Sequence, residues 1–116
     1  MKLAALRRFA LSLPGVTEQA HFDFSSFRVR GKIFVTVPPP GEYIHVFVDD
    51  LERERALALA PESIEKLWWG KKVVGLRITL AAPPAALVQE LVRNAWTRKA
   101  PKRLVSVNRP GTKGVA

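Results

Sequence analysis

Residues 27–50 read FRVRGKIFVTVPPPGEYIHVFVDD, and the alternation within this stretch decides the fold. Phe27, Val29, Ile33, Val35 and Val37 are apolar, while Arg28, Arg30, Lys32 and Thr36 fall between them around Gly31. Side chains of a strand point in turn to opposite faces, so this pattern predicts an antiparallel hairpin with its turn at Arg30 and Gly31. Proline cannot donate to a sheet ladder, so Pro38, Pro39 and Pro40 with Gly41 end the pairing in a stiff loop. Tyr43 to Val48 then resumes as a third strand, apolar on both faces apart from His45, as expected of a strand that is central or covered by helices.

Working outward, Leu3, Leu6, Phe9 or Ala10, and Leu13 recur at helical spacing until Pro14 and Gly15 stop the helix. A short connector leads to the hairpin. On the other side, Asp49 or Asp50 can cap a helix over LERERALALA, with Leu51, Leu57 and Ala58 available to the core. After Pro61 the spacing predicts a second short helix from Glu62 to Leu67. Trp68 to Lys72 reads as a short strand or turn, and Val73 to Leu80 as a strand with Leu76, Ile78 and Leu80 on one face. Pro83 and Pro84 suit the first turn of a last helix, whose apolar stripe of Leu87, Val88, Leu91, Val92, Ala95 and Trp96 runs to about residue 99. That stripe predicts that Trp96 is buried. The order is helix, three strands, helix, one or two strands, helix. It predicts an α+β fold, an antiparallel sheet with helices on one face. Residues 1–105 form one domain in this reading, and residues 106–116 a basic, mobile tail.

The chain has 116 residues, 47% of them hydrophobic, and no Cys. This length suits one domain with a substantial core. Without Cys, disulfide scaffolds, thiolate metal sites and cysteine nucleophiles are excluded. Residues 1–65 carry eight basic and nine acidic side chains, whereas residues 66–116 carry eleven basic ones and Glu90 as the sole acid. The net charge of +9 therefore arises in the second half, and a field of this sign attracts polyanions. In the opening MKLAALRRFALSL, Arg7 and Arg8 interrupt the apolar run that an export signal needs, and no run of about 18 apolar residues follows anywhere. The segment is read as mature structure, the protein as cytoplasmic, and no membrane partner is expected.

The runs LSLPGVTE at 11–18, FRVRGKIF at 27–34, the Trp-containing segment before the strand at 68–80, and AWTRKAPKRLV at 95–105 together resemble the MmcQ/YjbR family in order and spacing. The resemblance covers roughly residues 1–105. It implies a fold similar to frataxin and to type III secretion chaperones, with the order helix, three strands, helix, two strands, helix. Family members are often labelled DNA-binding, which implies a partner class and supplies no catalytic residues.

Catalysis and metal binding find little in the residues. His21 and His45 fall on different predicted elements, short of the three or four ligands a zinc site needs. The first helix has no acid with which to bind iron as an acidic ridge would. Asp49 and Asp50 read as helix caps, Ser25 and Ser26 lack a nucleophile elbow, and the glycines form neither GxGxxG nor GxxxxGK. No catalytic residue, metal or cofactor is expected. The cations offer more. Arg28, Arg30 and Lys32 on the hairpin, Lys71 and Lys72 before the last strand, and Lys102 and Arg103 after the last helix are candidate phosphate contacts. Arg28 and Arg30 oppose Phe27 and Val29, so with Lys32 across the turn they would make one exposed ribbon. Arg98 and Lys99 join the last cluster, where cations also complement the helix dipole. Of Trp68 and Trp69, one would point inward from a strand and the other would offer a partner surface. The expectation is a non-enzymatic protein that binds nucleic acid, DNA without sequence specificity, through these cations. The alternative is a protein-interaction or chaperone-like module using its sheet face or an exposed Trp.

Overall fold

In residues 1–107, which the computed structural model describes, the elements are α1 (Leu3–Ser12), β1 (Val16–His21), β2 (Phe24–Val29), β3 (Lys32–Val37), β4 (Tyr43–Val46), α2 (Asp50–Leu59), β5 (Ile64–Trp69), β6 (Lys72–Thr79), α3 (Ala85–Lys99) and α4 (Lys102–Val107). The six strands form one antiparallel sheet in the order β1-β2-β3-β4-β6-β5. The α+β class and antiparallel sheet therefore stand as expected, with differences in detail before α2, after α2 and after α3.

The connector after the first helix contains an edge strand. β1 pairs with β2 along its whole length, from Val16 opposite Val29 to His21 opposite Phe24. Its inward position Glu18 is charged, which hides the alternation. Arg7 of α1 makes that charge tolerable: its Nε reaches the two Glu18 carboxylate oxygens at 2.9 and 3.1 Å, and Ser25 Oγ donates to the same carboxylate. The second difference is β5, which occupies Ile64–Trp69 where a short helix from Glu62 to Leu67 was expected. Ile64, Leu67 and Trp68 do fall at helical spacing, but pairing with β6, from Ile64 opposite Ile78 to Trp69 opposite Lys72, satisfies the backbone instead.

The core lies between one sheet face and α1, α2 and α3. Phe27, Val35, Ile44, Val46, Leu76 and Ile78 come from the sheet, and Leu6, Ala10, Ala56, Val88, Leu91, Val92, Ala95 and Trp96 from the helices. Trp96 is 1% exposed, and its indole N–H donates to the Pro14 carbonyl at 3.0 Å, which ties the end of α1 to α3. Burying a large aromatic while pairing its polar atom accounts for its place at the centre of the stripe. Asp49 caps α2 by accepting from the Glu52 amide at 2.9 Å. α2 is then joined to α3 through Arg55 with Glu90, and through the Asn94 amide donating to Glu52. At the C-terminal end, Ser106 and Val107 belong to α4 rather than to a tail, and Leu104 and Val105 pack on the core. The rest of the expected tail, residues 108–116, lies outside the described residues.

Candidate functional site

Antiparallel pairing settles which turns share an end of the sheet. Val46, the last residue of β4, stands opposite Val35 in β3 and Leu76 in β6, and the chain leaving it runs toward the starts of both strands, with the Phe47 amide donating to the Phe34 carbonyl at 3.2 Å. The β2–β3 turn at Arg30 and Gly31 and the β5–β6 turn at Gly70 and Lys71 are therefore neighbours at one end, on either side of Phe47–Asp49, where β4 leaves for α2. α3 finishes there too, with Arg98 Nη1 donating to the Phe47 carbonyl at 3.3 Å. α4 follows directly, with Leu104 against Gly15 beside Val29.

This topology collects all seven cations singled out from the sequence at one end of the molecule. Arg30, Lys32, Lys71, Lys72, Lys102 and Arg103 are exposed. Arg28 is half-buried, and its Nε donates to the buried Ser26 Oγ at 3.0 Å. The hairpin does not present its cations as one ribbon. Arg28 stands opposite Ile33 and Lys32 opposite Val29, and cross-strand partners share a face. β3 spends an extra residue, Phe34, at the register shift beside Phe27 and Arg28. The acids Asp23, Glu42 and Glu62 precede β2, β4 and β5 at the opposite end of the sheet.

The sheet face not covered by helices is hollowed into a groove of about 560 Å³ reaching this basic end. Buried Thr36 and partly buried Phe24, His45 and Leu67 line it, and Trp68, Trp69, Lys72, Arg98 and Lys99 border it. Trp68 and Trp69 are 57% and 80% exposed, so the expectation that one points into the core fails. β5 is an edge strand, and the register shifts between Leu67 and Trp68, which breaks the simple alternation of inward and outward side chains there. Asp50 also lines the groove, but its carboxylate is held by Arg53 at 2.8 Å. Among the described residues, Lys72, Arg98 and Lys99 make no ion pair.

His45 accepts or donates one bond with Thr36 Oγ1 at 3.3 Å and meets the Phe24 ring edge-on. Burial, and then the charge of Arg77, pushes its pKa below the usual histidine value, which favours a neutral imidazole in the groove. Arg77 is itself turned over the Tyr43 ring, 4.0 Å from its centroid. His21 lines the groove as well, but among the described residues no three His, Cys, Asp or Glu side chains gather as a metal site would require. No described helix is long and apolar enough to cross a membrane.

Sequence reasoning passed over Phe24, Phe47, Arg98 and Lys99 as groove residues. Extending the hairpin alternation backward through Ser26 to Phe24 would have found the first. Arg98 and Lys99 were grouped with Lys102 and Arg103 at the end of the last helix, but nothing local shows that the end of α3 reaches the exit of β4.

A model of the YjbR family matches residues 11–98. The chain belongs to the YjbR family. The match takes in the elements that build the groove, from the end of α1 to the last turn of α3. Among solved structures, the Deinococcus radiodurans protein DR2400, described with a DUF419 domain, is similar, with a TM-score of 0.72 and 22% identity over 95% of this chain and 80% of that one. At that identity the likeness speaks for the fold alone. No curated protein matches the chain.

Proposed function

We propose that this YjbR protein binds nucleic acid through its phosphates and acts by binding rather than by catalysis. The observation that carries the reading is the gathering of Arg30, Lys32, Lys71, Lys72, Arg98, Lys99, Lys102 and Arg103 at one end of the sheet, while Asp23, Glu42 and Glu62 stand at the other. Cations spread for solubility alone would have no reason to share an end, whereas a polyanion rewards their proximity. Arg98 spends one of its five N–H donors on the Phe47 carbonyl and keeps the others for a phosphate. The contacts read no bases, so the binding is without sequence specificity.

Anisotropy titrations of a labelled random-sequence duplex at several salt concentrations test this. Each neutralised phosphate releases counterions, so affinity should fall linearly on a log–log plot of salt, with a slope reporting several contacts. Salt-independent binding, or no binding of either duplex or single strand at low salt, would overturn the proposal. A second reading is favoured by one observation: β5 is an edge strand carrying two exposed indoles. A protein partner held there would be lost on replacing the Trp residues and would be little affected by salt.

A further inference from the structure

We infer that the groove on the uncovered sheet face takes unpaired bases, so that the preferred ligand is single-stranded nucleic acid with a base stacked on Trp69. The inference rests on the nucleic-acid reading above and adds the class of strand. Trp69 is 80% exposed at the border of a groove whose lining includes Phe24 and Leu67. An indole left in water forfeits its burial free energy, and a flat apolar partner would recover it. Lys72, Arg98 and Lys99 surround the same groove without ion-pair partners among the described residues.

The occupant must therefore carry negative charge and aromatic faces at once. A duplex supplies only half of this, because its bases are stacked on one another and offer edges rather than faces. An acidic peptide supplies charge without regularly spaced rings. A single strand alternates the two along its length, and stacking platforms beside a cationic groove are the recurring solution for holding one. Exposure of the indole also makes Trp69 a clean position to test, since little of its side chain supports the fold.

The experiment compares a twelve-nucleotide oligothymidylate, an abasic oligomer of equal length, a duplex of equal length and thymidine monophosphate, binding being followed by anisotropy and tryptophan fluorescence. The oligothymidylate should bind most tightly and quench fluorescence. Trp69→Ala should weaken that binding roughly 5- to 100-fold, the range for losing a stacked base, and bring it toward the abasic level with the salt slope unchanged. Lys72→Glu with Arg98→Glu should reduce both affinity and slope. Equal affinity for oligothymidylate and the abasic oligomer, or an unaltered Trp69→Ala protein, overturns the stacking inference while phosphate binding stands. Monophosphate binding as tight as the oligomer would also overturn it, in favour of a small-nucleotide pocket. If no nucleic acid binds at low salt, the underlying functional reading fails with it.

Discussion

His45 shows how one side chain links the groove to stability. It lies on β4 opposite Thr36 and Arg77, and the folded state pushes its pKa down, by burial first and by the Arg77 charge second. The unfolded chain therefore takes up the proton before the folded one does. Where the unfolded state binds more protons, stability rises with pH. The contribution of His45 is thus fully present above the ordinary histidine pKa and declines as pH falls from there toward the lowered folded value. Glu65 pairs with Arg77 at 3.6 Å and only partly offsets the charge facing the imidazole. Glu18 and Glu52 do not confuse the measurement. Desolvation raises the first, but the hydrogen bonds from Arg7 and Ser25 and the Arg7 charge outweigh it, and Arg55 leads the lowering of the second. Both therefore titrate below the ordinary carboxylate range. Urea unfolding between about pH 7.5 and about pH 5.5 should show a loss of stability on acidification that shrinks in His45→Gln. Parallel pH profiles for the two proteins would place the proton uptake elsewhere.

At the scale of elements, β4 does the most to shape the site, because it is short and leaves between two longer hairpins. Gly75 on β6 permits that exit: a Cβ there would collide with the Val46 carbonyl oxygen and stand 3.2 Å from the Phe47 Cα. The obstacle is backbone and cannot rotate aside, so Gly75→Ala should destabilise by roughly 1–3 kcal/mol, as overpacking does. Denaturant melts showing no loss would mean that β4 leaves the sheet by a different route. The same elements explain what the sequence made legible. The β2–β3 hairpin, β4, β6 and α3 were readable because their apolar periodicity coincides with burial; α2 was readable from its Asp49 cap and its helix formers, but Leu51 and Ala58, expected in the core, are exposed, and Ala56 is buried instead. β1 was not, because its inward Glu18 is satisfied by Arg7 from another element. β5 was misread because Ile64, Leu67 and Trp68 suit a helix equally well until β6 is alongside. α4 is six residues long, too short to announce itself by period, and is held by Leu104 and Val105 on the core. Of the candidate site, the residue types were legible, and the meeting of α3 with the end of β4 was not. That contact joins residues 51 apart through a single hydrogen bond.

For the whole molecule, the decisive property is where the charge sits, and net charge alone does not determine it. Even the shortest extent of the molecule is 28 Å, more than three Debye lengths at physiological ionic strength, where that length is about 8 Å. A phosphate docked at the basic end is therefore screened from charges at the other. Lys2 provides the comparison. It is exposed beside Met1, whose amino group donates to the Leu80 carbonyl at 2.9 Å, and beside Leu3, which packs at Gly41, so it belongs to the end opposite the two basic turns. Lys2→Glu and Arg30→Glu each change net charge by the same amount, and both side chains are exposed, so stability should move by no more than about 0.5 kcal/mol in either. Arg30 has a positive φ of 53° in the turn, but the wild-type residue is already a non-glycine there, and Glu adds no new backbone restriction. If the ligand is held at the basic end, Arg30→Glu should weaken binding and make the salt slope shallower by about one contact, whereas Lys2→Glu should leave the slope unchanged. Equal losses in the two variants would mean that attraction follows total charge, and the concentration of cations around the hairpin turns would then have no part in binding.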